Sequence, residues 1–295
     1  MTKSTFLDWL YHVSARFVEK PALALIPSQR ILRWIFERTA QIGAVPPVGT
    51  RTVIDAQGGL TATPPDLEGD APLLMYIHGG GFTIGSPRTH LAMAAHIAAG
   101  AGMRVYLPRY PLAPDYPFPA AVEMLITTYK QLCDAEMAPA ALAGDSAGGN
   151  LALVTAMGAR DQGLPLPQAM GLIAPLADMS ANIGARLRAA PSEYLIPATW
   201  ARRARQAYLN GHDPADPRVS PIFGDLTGLP PTLIQSAKDE GLSQDAARLA
   251  KALPQAQHIV WPGLHHVWQL KAGSSPAATR ACAEMGTFLK IKAQP

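Results

Sequence analysis

Residues Gly144-Asp145-Ser146-Ala147-Gly148-Gly149-Asn150 set a serine between an apolar run and an alanine-rich stretch. Glycines two places before and two places after the serine suit a turn too tight for side chains there, which would collide with neighbouring backbone. Such a turn strains the serine and presents its hydroxyl outward. A helix starting at Ala147 adds the positive end of its dipole at the same point. The chemistry this suits is nucleophilic attack on a carbonyl. Upstream, His78-Gly79-Gly80-Gly81-Phe82 follows the apolar run Leu73–Ile77. Three consecutive glycines cost backbone entropy. They make sense where N–H groups must come close to a ligand, as they would to hold the negative oxygen of a tetrahedral intermediate.

A serine hydroxyl needs a base to act at neutral pH, and the Ser–acid–His chain order of such turns places that base late. His258 falls inside an apolar run and reads as strand. His265 and His266 lie just past that run, in Gly263-Leu-His-His-Val-Trp-Gln269, and either is placed to reach the serine. The acid that orients the base should follow the preceding run, Thr232–Ser236. Asp239 is the first acid beyond it and is the expected orienter. Its neighbour Glu240 is expected to point elsewhere, and Asp245 to cap the next helix.

These groups need a scaffold. From Thr50 onward, short apolar runs alternate with longer helical stretches. Strands are predicted at Leu73–Ile77, Val105–Leu107, Ala140–Ala143, Met170–Ala174, Thr232–Ser236 and His258–Trp261. Helices are predicted at Thr89–Ala99, Ala120–Leu132, Ala147–Gly158, Asp245–Leu253 and Ala277–Leu289, with 181–210 helical and broken by prolines. This alternation predicts an α/β fold with a mainly parallel sheet covered on both faces. Ligands in such sheets bind at the carboxyl ends of the strands. In the first forty residues, Phe6, Trp9, Leu10, Val13 and Phe17, then Ile31, Trp34 and Ile35, recur at helical spacing. They predict a helix pair that either packs as core or roofs a site.

From about residue 70 to the end, the sequence resembles the hormone-sensitive-lipase family of α/β-hydrolases, the bacterial family IV esterases. The resemblance is carried by His78–Gly81, by Gly144–Asn150 and by Tyr110-Pro-Leu-Ala-Pro-Asp-Tyr-Pro-Phe-Pro119. Ser220-Pro221, Leu229–Ile234 and His266–Gln269 add to it. It implies an α/β-hydrolase fold and a serine carboxylesterase without cofactor or metal. Ser146, Asp239 and His266 would form the triad, and Gly80, Gly81 and Ala147 would supply the oxyanion N–H groups, with His78 and Gly79 shaping that loop. His265 stands where the family commonly has proline and reads as an exposed bystander. The family's cap would here be residues 1–45 and an insertion at about 180–215 of a catalytic domain spanning 46–295. Met179, Tyr194, Leu195 and Trp200 are the candidate acyl pocket. The expected substrate is a small-molecule ester of short to medium acyl chain. The alternatives are a lactone hydrolase with the same triad, or a non-catalytic small-ligand receptor, which the presence of His266 disfavours.

Composition narrows the classes further. The net charge is only +3, and the Arg202-Arg203 pair with Arg205 reads as a solvated helix face, so no nucleic-acid partner is expected. Cys133 and Cys282 have no metal-ligand or disulfide spacing and read as free thiols. No window approaches the roughly 20 apolar residues that span a bilayer. Stable membrane insertion is therefore not expected, and a cytoplasmic location is the default. A homodimer is compatible with the sequence.

Overall fold

The computed structural model describes residues 6–191 and 193–293. Its centre is an eight-stranded sheet made of β1 (Arg51–Ile54), β2 (Leu60–Thr63), β3 (Leu73–Ile77), β4 (Arg104–Leu107), β5 (Ala141–Asp145), β6 (Ala169–Ile173), β7 (Thr232–Ala237) and β8 (Ala256–Trp261). The strand order is β1-β2-β4-β3-β5-β6-β7-β8. β3 to β8 run parallel, and β1 and β2 are antiparallel additions at one edge. Every residue of β3, β5, β6 and β7 is buried, as expected of strands covered on both faces.

The predicted strands and helices are all present, within a few residues of their expected ends. The β1–β2 hairpin was not expected. β1 is exposed along its whole length, so its four residues carry no alternation of apolar and polar side chains to mark it.

Helices cover both faces. α4 (Pro87–Ala101) and α10 (Pro276–Lys292) lie on one side. α5 (Ala120–Asp134), α6 (Ala147–Asp161) and α9 (Ser243–Ala252) lie on the other. α4 and α10 cross at Gly100 and Gly286, where a methyl group on Gly286 would stand 2.5 Å from the Ile97 carbonyl oxygen.

The described residues begin with α1 (Phe6–Ser14), a π-turn at Ala15–Glu19, α2 (Lys20–Leu25) and α3 (Gln29–Thr39). This segment is anchored at two ends. Asp8 accepts hydrogen bonds from Ser275 and Ala277 at the start of α10. At the other end it meets an insertion after β6 that holds α7 (Ile183–Ala189) and α8 (Ala198–Leu209). Arg203 donates to the carbonyls of Leu23, Ala24 and Ile26, which satisfies the open C-terminus of α2. Arg205 donates to the Met179 carbonyl at 2.7 Å. Arg203 and Arg205 are therefore clips between segments rather than a solvated face; Arg202 alone of the three is exposed.

Asp245 is also not the helix cap expected. It is buried and turned away from its own helix, accepting from the Ala177 and Asp178 amides and pairing with Arg186 of α7.

The α4–α10 crossing yields a stability test. Gly286→Ala removes a helix-interior glycine, which favours the helix by up to about 1 kcal/mol. It also forces a methyl group into the Ile97 carbonyl, at about 1–3 kcal/mol. Thermal unfolding should show a net fall in Tm, where an exposed Gly→Ala change in a helix would raise it.

Candidate active site

The strand order reverses at β3: the chain steps outward to β4, then returns to β5 on the other side. The turns after β3 and β5 therefore open side by side at the carboxyl ends, where open α/β sheets bind ligands. Ile77 pairs with Gly144, so the glycine-rich loop and the serine turn start in register.

Ser146 sits between β5 and α6 with φ 52° and ψ −118°, a conformation that non-glycine residues avoid. Side chains flanking it are sterically excluded. A Cβ at Gly144 would lie 2.4 Å from the Gly148 oxygen, and one at Gly148 would lie 2.1 Å from the Ile77 oxygen. The Ser146 amide donates to the Ile173 carbonyl, and its own carbonyl accepts from Leu176, so packed backbone on both sides holds the strained turn.

His266 lies in the loop after β8, with its Nε2 2.9 Å from the Ser146 Oγ. Its Nδ1 meets the Glu240 carboxylate. Glu240 is buried, and its second oxygen accepts from the Ala237 amide at 2.8 Å. Asp239, the expected orienter, does not contact His266. The turn after β7 folds back so that the side chain at 240 points inward beneath the histidine, while Asp239 is left half-buried at its side. The structure thus brings Glu240, one residue beyond the expected Asp239, against the histidine.

Burial opposes a charge on His266, but the charge and hydrogen bond of Glu240 outweigh it, and the pKa rises above the ordinary value. Buried Glu193 adds to this. Its carboxylate accepts from Leu195, Ile196 and Gly241, tying the insertion to the loop that carries Glu240. No sequence string marked Glu193.

The glycine loop is held from below. Asp145 is buried and accepts from the Gly79 amide at 3.0 Å and the Tyr76 hydroxyl at 2.9 Å. Burial works against its charge, but the neighbouring His90 and these bonds favour it, and its pKa falls below the carboxylate norm. His78 stacks on Tyr110, whose hydroxyl donates to the His78 carbonyl. Burial, with His90 nearby, lowers the His78 pKa to about 3, so it stays neutral. Thr83 and Ile84 donate to the Gly80 carbonyl and fix the loop. Gly80 and Gly81 face the same cavity as Ser146 and His266. Ala147 opens α6, so its N–H has no partner within the helix.

That cavity encloses about 320 Å³. Its wall is mostly apolar and comes from the N-terminal helices (Val18, Leu23, Leu32, Ile35, Phe36) and from the insertion (Leu195, Ile196, Trp200). Of the four candidate acyl-pocket residues, Leu195 and Trp200 line it. Met179 is core, and Tyr194 packs on His12 and Arg16 outside it. His265 is no exposed bystander. It is buried in the cavity wall, and burial, with His12 and His266 close by, lowers its pKa to about 3. A more open groove of about 770 Å³ lies near Asp55, Tyr106 and Met137. Its walls hold no serine, cysteine or histidine, and it offers no comparable chemistry. Among the described residues there is no cluster of three or more metal-ligating side chains.

Comparison with known proteins gives the family. A family model described as alpha/beta hydrolase fold matches residues 74–270. An acetyl-hydrolase of Streptomyces hygroscopicus is 38% identical over 75% of this chain and 76% of its own. The esterase LipI of Mycobacterium tuberculosis is 30% identical over 93% of this chain and 86% of its own. The crystal structure of an esterase from the bacterial hormone-sensitive lipase family superposes with a TM-score of 0.87 at 32% identity, over the whole of both chains. The chain belongs to the hormone-sensitive-lipase family of α/β-hydrolases. It is a carboxylic ester hydrolase.

The hydrogen-bonded chain from Glu240 to Ser146 predicts a split between neighbours. Glu240→Gln should lower kcat by roughly three to four orders of magnitude, while Asp239→Asn stays near wild type. His266 must be neutral to take a proton, so its raised pKa places the acid limb of kcat/KM above pH 6.5. Residual activity of Glu240→Gln should show that limb moved to lower pH. Steady-state kinetics across pH on both variants check this.

Proposed function

We propose that this protein hydrolyses short- to medium-chain acyl esters through a Ser146–His266–Glu240 triad and a covalent acyl-enzyme. The observation that carries the reading is the continuous hydrogen-bonded path from the Ser146 hydroxyl through His266 to a buried carboxylate, opening onto an apolar cavity.

His266 Nε2 takes the Ser146 proton as the hydroxyl attacks the ester carbonyl. Glu240 holds the imidazole in the tautomer that leaves Nε2 free to accept, and stabilises the imidazolium that forms. The N–H groups of Gly80, Gly81 and Ala147 receive the oxyanion, at the positive end of α6. His266 then gives its proton to the leaving alcohol. Water repeats the sequence, with His266 again the base, and frees the acid.

The N-terminal helices and the insertion after β6 act as the cap. Together they supply most of the apolar wall, and Trp200 reaches the oxyanion loop: a Cβ on Gly81 would stand 2.7 Å from its ring. The enclosed volume is at the small end for ligand sites, which favours short acyl groups over long ones. A similar esterase, EstE5, 29% identical with a TM-score of 0.85, has been studied as crystals soaked with p-nitrophenyl butyrate.

A panel of p-nitrophenyl esters from acetate to palmitate, with lactones beside them, tests this reading. The highest kcat/KM should fall between acetate and octanoate, and palmitate should lag by about an order of magnitude or more. Ser146→Ala should remain folded and be almost inactive on every ester. Palmitate as the best substrate, or turnover by Ser146→Ala, would overturn it.

A further inference from the structure

The N-terminal segment that walls the cavity also carries a conspicuous set of exposed apolar side chains. Phe6 is 72% exposed, Trp9 55%, Phe17 64%, Leu25 79% and Trp34 58%. Leu10 and Phe6 lie one turn apart on α1 and are both exposed, and Phe6 and Trp9 stack on each other. Isolated exposed apolar residues are ordinary, but this many large ones within one short segment mark an interaction surface.

The charge of the same segment indicates the partner. Residues 1–45 hold six Lys and Arg against three Asp and Glu, and the remaining 250 residues hold nineteen of each. The whole net charge of +3 thus resides in the N-terminal segment. Arg30 and Arg33 are answered by Asp115. Arg16 and Arg38 instead lie over the rings of exposed Phe17 and Trp34, 5.2 Å and 4.1 Å from their centroids. Aromatic rings beside cations on short amphipathic helices suit the boundary between lipid headgroups and acyl chains. A second copy suits this face poorly, because a two-fold interface sets the same basic patch against itself.

The surface is continuous with the cavity. Val18 and Ile42 line it, yet are 64% and 67% exposed, so they mark where the cavity meets solvent. No helix among the described residues is long and apolar enough to cross a membrane, so the mode is lying on a surface. We propose that the N-terminal helices seat this protein on an anionic phospholipid bilayer, with the cavity mouth at Val18 and Ile42 facing the lipid. Esters dissolved in the bilayer then reach the cavity without crossing water. That last consequence rests on the esterase reading above; the docking itself does not.

The test is co-sedimentation of the full chain with vesicles of phosphatidylcholine alone and of phosphatidylcholine with phosphatidylglycerol, at low and high salt. Turnover of soluble p-nitrophenyl butyrate is read in parallel. Wild type should sediment with the anionic vesicles, remain in the supernatant with the neutral ones, and be released by salt. Arg16→Gln/Arg38→Gln should weaken binding by roughly fivefold per cation removed, and Trp9→Ser/Phe17→Ser should abolish it. Both variants should turn over the soluble ester as wild type does. Failure of wild type to bind anionic vesicles, or undiminished binding by Trp9→Ser/Phe17→Ser, would overturn the proposal. So would a wild-type dimer in light scattering that this variant splits, since the face would then join two copies. Vesicle binding by a wild type that turns over no ester would support the docking and count against the esterase reading.

Discussion

The site depends on how closely two backbone turns approach each other at the seam between β3 and β5. Gly148 lies so near the Ile77 carbonyl, and Gly79 so near the Asp145 carboxylate, that a side chain at either position would overlap its neighbour by more than an ångström. Asp145 bridges the seam, joining the residue before the nucleophile to the amide of the glycine loop. A carboxylate buried this deeply is costly unless it is well hydrogen-bonded, and Tyr76, Gly79 and His90 meet that demand. The nucleophile and the glycine loop are therefore one mechanical unit. In the proposed mechanism its rigidity aims the N–H groups before a substrate arrives, which is where such sites gain their electrostatic advantage.

Around that unit the remaining parts come from progressively more distant chain. β7 and β8 lie beyond β6 and deliver Glu240 and His266 from their carboxyl ends. The insertion contributes Glu193, which braces the turn carrying Glu240 and adds negative potential near His266. The N-terminal helices close the cavity and are held in place through Arg203 and Asp8. The catalytic centre thus has a core fixed by backbone packing and a roof fixed by side-chain clips. Under the proposed function, the roof is the part that sets which ester enters.

The sequence showed most of the core and little of the roof, for physical reasons. Fully buried parallel strands read as apolar runs, so β3, β5, β6 and β7 were visible, and the apolar residues of β4 and β8 marked those strands too. β1, exposed and four residues long, was not. The glycines around Ser146 and in the His78 loop carry a steric requirement that composition cannot disguise, so both turns were legible. The choice between Asp239 and Glu240 was not. A strand end and its spacing identify the turn, but which of two adjacent acids points inward depends on how that turn folds back, here with the Ala237 amide on the Glu240 carboxylate. The acyl pocket shows the same limit. Leu195 and Trp200 face the cavity, while Met179 and Tyr194 do not, because the facing of side chains in an irregular insertion has no period to read. His265, read as a bystander because it stands where the family commonly has proline, is buried beside His12 of α1.

The central claim is that Ser146 carries the acyl group during turnover. Its most direct test is acid-quenched mass spectrometry of the protein caught within the first turnover of p-nitrophenyl butyrate. The account predicts a stoichiometric release of nitrophenol matched by a butyryl increment on the peptide containing Ser146. That increment should be gone once turnover ends. A burst without any adduct, or an adduct on another residue with Ser146 unmodified, would contradict it.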